Sequence, residues 1–255
     1  MNLEKELERK QRELTALVSG ATAILLQQGF IETARAIFDI CRQITGATSG
    51  YIALLSGDGQ ENEVLFLESG GLPCDVDKEL PMPVRGLRAE SYKSGRAVFH
   101  NDFMNSEWIK FMPAGHVALK NVMFAPLVIA GKTVGLIGLA NKAGDFDEND
   151  AAMAEHFGGL AAIALQNSRN LDAMLAAKKQ REDLIIELKS ALEKVKKLSG
   201  LLPICSFCKN IRDDKGYWNR IENYIREHSE AEFSHGLCPE CANKHYPGLN
   251  LDGDY

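Results

Sequence analysis

Apolar residues near the start of the chain recur at three- and four-residue steps, a spacing that predicts two helices. In the first, over residues 2–20, Leu3, Leu7, Leu14 and Leu17 form a short heptad seam interrupted by Lys10, the pattern of a helix that needs a partner. In the second, over residues 31–44, Ile31, Ala34, Phe38 and Cys41 hold one face, and Ile37, Ile40 and Ile44 widen it. Cys41 is therefore expected on a packed face, as an inert structural thiol. The period then shortens. Residues 50–56 and 63–69 are β-favouring runs joined across Gly57-Asp58-Gly59, which predicts a hairpin. A helix over residues 87–93 closes at Ser94-Gly95, and residues 96–100 read as an edge strand. Residues 102–120 have no clean period and contain Pro113 and Gly115, which predicts a long, partly helical excursion. Residues 121–129 and 134–141 make a second hairpin around Ala130-Gly131-Lys132.

From Asp147 the pattern turns helical and runs to Ser199-Gly200. Its first part is rich in Ala and Leu, as suits a helix packed on a sheet. Beyond it, Leu171, Met174, Ile185, Leu188, Leu192 and Val195 fall on alternating three- and four-residue steps, with the polar Lys178 and Arg181 in the seam. One apolar stripe on so long a helix predicts a parallel homodimeric coiled coil, and the competing reading is a solvated surface helix. The order helix, hairpin, helix, loop, hairpin, helix describes an α+β domain, an antiparallel sheet with helices on its faces. The expected division is an N-terminal helix (1–19), this domain (20–168), a helical linker or coiled coil (169–200) and a C-terminal module (201–255).

Within the domain, Ala125-Pro126-Leu127 and the run from Gly135 to Lys142 resemble the GAF family of sensory domains, as does the segment from Gly95 to Asp102. The resemblance covers roughly residues 20–170. Cyclic-nucleotide-binding members carry an Asn-Lys, Phe, Asp-Glu signature, matched here by Asn141, Lys142, Phe146 and Asp150, with Ala151 at the final acidic position. The expected role is structural: a Lys142–Asp150 pair tying the last strand to the long helix, with Phe146 beneath the turn. The resemblance places a small-molecule ligand, a cyclic nucleotide among the candidates, between the sheet and the loops over residues 80–120. Asp102, Phe103, Trp108, Phe111 and His116 are the candidate lining residues, aromatics for stacking and Asp or His for an oriented polar contact.

The cysteines carry a second signal. Of six, Cys205, Cys208, Cys238 and Cys241 form two C-x-x-C pairs about thirty residues apart, a spacing that lets two tight turns complete a tetrahedral thiolate site. Such a site is coordinatively closed, which favours a structural role over catalysis. Trp218, Ile221, Tyr224 and Ile225 lie at helical spacing between the pairs, followed by Phe233, too few apolar residues to hold about fifty residues folded without a metal or a disulfide. Zinc is the expected ion. The spacing also resembles rubredoxin, which leaves iron as the alternative, although Lys209 and Ala242 stand where rubredoxin has glycine. His235 and His245 lie near enough in sequence to substitute for a thiolate. The segment as a whole resembles a short tail of bacterial signalling proteins.

Composition narrows the choice. The chain has 255 residues and a formal net charge of −6, which gives no support to counterion-driven binding of nucleic acid. No run approaches the roughly 20 apolar residues that span a bilayer, and residues 1–13 lack the apolar core of a secretory signal, so a cytoplasmic protein with no membrane partner is expected. The expected function is a non-enzymatic sensor acting through a downstream signalling protein. The alternatives are a thiol enzyme, such as a GAF-type methionine sulfoxide reductase using Cys41 and Cys74, and a redox switch at the C-terminal cysteines.

Overall fold

The computed structural model describes residues 2–27, 29–73, 76–77, 80–194 and 202–247. Residues 1–176 and 177–255 form separate units. The first contains α1 (Asn2–Leu26), α2 (Phe30–Thr45), β1 (Ser49–Leu55), β2 (Asn62–Glu68), α3 (Leu87–Ser94), β3 (Val98–His100), β4 (Val122–Ile129), β5 (Lys132–Ala140) and the start of α4 (Glu148–Lys194). Short 3-10 turns at Phe103–Asn105 and Glu107–Phe111 are the ordered part of the excursion.

The strands pair in the order β2-β1-β5-β4-β3, antiparallel throughout, with Ser49 opposite Ala140 and Val122 opposite Ala140 on the other side. Alternate side chains of one strand serve opposite faces. Met123, Ala125 and Leu127 of β4, Ile137 and Leu139 of β5, and Ile52 of β1 pack with Ile37 and Phe38 of α2 and Ala154, Phe157 and Ala161 of α4. Val122, Phe124, Leu136 and Ala140 face the other way, onto Leu87 of α3 and Phe103. Both faces are covered, which is why β4 is apolar at nearly every position and cannot alternate as a half-solvated strand would.

Polar groups fix the corner where β5 hands over to α4. The Lys142 ammonium pairs with the Asp150 carboxylate. Asp147 and Asp150 exchange side-chain-to-backbone bonds of 2.8 and 3.0 Å, satisfying N–H groups at the start of α4. Asn101 brackets the backbone of the buried Phe146 with bonds of 2.8 and 3.0 Å. Asn141 has φ 59° and receives Lys120 N–H at 2.8 Å, while the buried Asn121 serves the carbonyls of Lys142 and Gly144. The four signature residues thus hold the backbone.

Helix α1 continues past Gly20 to Leu26. Leu17 does not belong to the outer seam: it packs against the core with Ala16, whereas Leu3, Leu7, Leu14 and Val18 are exposed. Glu13 is buried on α1 and accepts 2.8 Å bonds from Lys10 and from Asn149 of α4. Burial alone would raise its pKa, but those bonds and the charges of Lys10 and Arg9 hold it below the usual carboxylate range.

The second unit contains the distal part of α4, a hairpin of β6 (Ile211–Arg212) and β7 (Trp218–Asn219), α5 (Ile221–His228) and α6 (Pro239–His245). Trp218 lies in β7 and not on the helix, because the Asp213 carboxylate gathers Lys215 N, Tyr217 N and the Asn219 side chain into a tight turn that ends just before α5. Leu171, Met174, Ile185, Leu188 and Leu192 are all exposed along α4, and Val195 lies outside the described residues. No helix among the described residues is long and apolar enough to cross a membrane.

Candidate functional site

A cavity of about 710 Å³ lies in the first unit, between the sheet face carrying Phe124 and Ala140 and the segments that cover it. This is within the range of small-molecule sites. Phe103, Trp108, Phe111 and His116 line it. Phe103 is buried and closes the inner wall; Trp108 N–H is held by Ser106 Oγ at 3.3 Å. Phe111 lies under the Arg85 guanidinium, whose Cζ is 5.5 Å from the ring centre. His116 Nδ1 is 2.8 Å from the Val117 carbonyl, so that nitrogen carries the proton.

Asp102 does not line the cavity. Its carboxylate points outward, exposed, and accepts bonds of 2.9 and 3.1 Å from Asn105, because Phe103 takes the inward position in this 3-10 turn. Cys41 is elsewhere too, fully buried in the core on the other face of the sheet, where desolvation drives its thiol pKa far up. Cys74 lies outside the described residues.

Tyr51, Asn62, Arg85 and Arg88 also stand on the polar wall, together with the carboxylates of Glu61, Glu63, Glu68 and Asp77. Tyr51 sits directly opposite Gly138, where an added Cβ would come within 2.6 Å of the phenol ring, so the glycine lets the ring lie against the sheet. Gly86 caps α3 at φ 66°, and a Cβ there would meet Phe111 at 3.0 Å. Asn62 accepts 2.7 Å from the Tyr92 hydroxyl and donates 3.0 Å to the Met82 carbonyl. The sequence held one sign of this wall: Arg85 just precedes the first turn of a helix and Arg88 lies in it, where a cation opposes the helix dipole.

In the second unit the cysteines come together two by two. Backbone N–H groups of Cys208 and Phe207, then the Cys208 side chain, bond the Cys205 sulfur and hold its pKa below the usual thiol range. Cys205 N donates 2.9 Å to Asn210 O, and the turn closes with Lys209 at φ 62°, the left-handed position that favours glycine. Cys238 is the N-cap of α6, with Pro239 behind it; N–H of Cys241, the Cys241 thiol and N–H of Glu240 bond its sulfur and lower its pKa, while the Cys241 thiol, as donor, is raised. Among the described residues no three Cys, His, Asp or Glu side chains gather as one metal-holding group, so the cysteines stand as two pairs.

The profile described as GAF domain matches residues 27–166. A methyl sulfide methyltransferase-associated sensor from Methanosarcina acetivorans is 26% identical over 157 residues, 56% of this chain and 16% of that protein, so the chain spans a small fraction of this relative. Among solved structures, the GAF domain of a phosphoenolpyruvate-protein phosphotransferase from Coxiella burnetii superposes with a TM-score of 0.55 at 13% identity, covering 64% of this chain and 98% of that one. Free methionine-R-sulfoxide reductase from Neisseria meningitidis superposes with a TM-score of 0.51 at 16% identity, covering 62% and 91%. At these identities the structural likeness speaks for the fold alone.

Proposed function

We propose, from the premise that the chain belongs to the GAF domain family, that it is a non-enzymatic, cytoplasmic signal-transduction sensor whose cavity receives a small molecule. The observation that carries this reading is the cavity itself, lined by aromatic side chains and convergent polar groups on a rigid sheet. The exposed stripe of α4 pairs with that of a second copy in a parallel coiled coil, and ligand binding changes the packing of this rod. The polar Lys178 and Arg181 in the seam leave two helix arrangements close in energy.

The four cysteines of the tail hold one zinc ion, with Cys205 and Cys208 as one half of the site and Cys238 and Cys241 as the other. The donor set fits: each pair is preformed, and in each the first sulfur already receives two backbone N–H bonds, which stabilise a thiolate. Zinc supplies no chemistry here beyond joining the two halves, and the module then presents a surface to a downstream signalling protein.

Native mass spectrometry of the purified full chain, with elemental analysis, tests the reading. The expected result is a dimer with one zinc per chain and a small molecule bound to the folded body. A metal-free monomer whose melting temperature is unmoved by a broad set of metabolites would overturn it.

A further inference from the structure

The wall of the cavity holds two polar donors that are unmet among the described residues. Arg88, in the first turn of α3, lies with its guanidinium 5.8 Å from the Phe124 ring centre, and its Nη1 is sealed from solvent with no hydrogen-bond partner among the described residues. The Tyr51 hydroxyl nearby is likewise sealed and without a partner among them. Burial pushes the Tyr51 pKa up and the charge of Arg88 pulls against it, so the hydroxyl keeps its proton and remains a donor. Tyr92 and Asn62, by contrast, satisfy each other.

Arg88 is half-buried, its sealed Nη1 is left without an acceptor among the described residues, and it stands at the positive end of a helix whose first N–H groups have no side-chain cap. The carboxylates of Glu61, Glu63, Glu68 and Asp77 also line the cavity, and Arg88 Nη1 has no hydrogen-bond partner among the described residues. Among the described residues, Arg88 Nη1 and the Tyr51 hydroxyl are thus donors without an acceptor on one wall of the cavity. Arg85 adds a second cation over Phe111 at the exposed side.

We infer that the cavity binds an organic anion, a carboxylate or phosphate on a planar apolar body, with the anionic group received by the Arg88 guanidinium and the Tyr51 hydroxyl and the body stacked among Trp108, Phe111 and Phe124. This rests on the reading of the cavity as a ligand site and names the chemistry of its occupant. A carboxylate or phosphate takes the fork of a guanidinium and accepts the phenol proton, and a neutral analogue of the same shape leaves both donors unmet.

The test uses matched probes on the full chain: indole-3-acetate against indole-3-acetamide for the carboxylate, and 3′,5′-cyclic GMP against guanosine for the phosphate, each titrated by calorimetry and melting temperature. The expected result is that the anion of at least one pair binds about tenfold or more tighter than its neutral partner, as a charged hydrogen bond implies. Arg88→Gln and the packing-conservative Tyr51→Phe each abolish that preference and leave the neutral compound's affinity in place. Equal binding of both members, unchanged in the variants, overturns the anion assignment and leaves the cavity a ligand site. No binding by any of the four at millimolar concentration overturns both.

Discussion

In the unit of residues 1–176 the sheet is covered on both faces, and Phe38, Phe157, Met123 and Leu127 lose all contact with water; in the unit that follows, Ile211, Tyr224 and Ala242 are the apolar side chains buried among the described residues. Each large side chain fully buried contributes about 1.5–3 kcal/mol, so the first unit has many times the apolar resource of the second. What the tail has instead is polar construction: a hairpin turn tied by Asp213 and two cysteine turns whose backbone N–H groups face sulfur. The body is held by its interior, and the tail by its turns together with whatever joins them.

The largest effect expected to separate the two is removal of the zinc proposed for the tail. Chelation, or Cys205→Ser combined with Cys238→Ser, is expected to abolish protection of the tail in limited proteolysis while the main melting transition moves little, because a structural zinc contributes on the order of 10 kcal/mol to a small module. Simultaneous collapse of both units would break the comparison. Next is the reverse experiment. Phe157→Ala, at a fully buried position of α4, is expected to destabilise the body by about 3–5 kcal/mol in urea unfolding. The one zinc per chain proposed for the tail should be retained. The smallest effect is on the alkaline side. Burial raises the pKa of Tyr51, Tyr92 and Cys41, so in the folded body they stay protonated after the unfolded chain has released its protons. Their contribution is complete below the ordinary thiol and phenol ranges and is lost as pH rises above about 9–10, so the melting temperature should decline there. Tyr92→Phe, read by the same melting curve, should flatten that decline.

Much of the body was legible in the chain because period and punctuation agreed. Gly57-Asp58-Gly59 marks the turn between β1 and β2, where Ser56 and Asp58 bond at 2.6 Å, and the signature residues Lys142, Phe146 and Asp150 occupy the corner assigned to them. The strand order was not legible, since adjacency of β1 and β5 depends on packing between segments far apart in sequence. The cavity was read in part. The family resemblance, with the rings in the stretch it marks, pointed to Phe103, Trp108, Phe111 and His116, but two neighbours in this turn do not both face inward, and Phe103 displaces Asp102. Arg88 and Tyr51 were passed over because an arginine on a short helix and a tyrosine in a strand look like surface and core residues until the fold sets them on one wall. Trp218 matched a helical period by coincidence of spacing, and the Asp213 turn overrides it.

The place of β5 between β1 and β4 has a consequence for how the protein is made. As the chain leaves the ribosome, β1 and β2 emerge early and can form their hairpin, yet the inner edge of β1 stays bare until β5 follows, with Ser49 waiting for Ala140. Over that interval the nascent chain carries an open, apolar strand edge, the kind of surface on which chaperones act and aggregates begin. Synthesis slowed just before residue 132 would prolong that exposure, and synthesis slowed after α4 has begun to emerge would not.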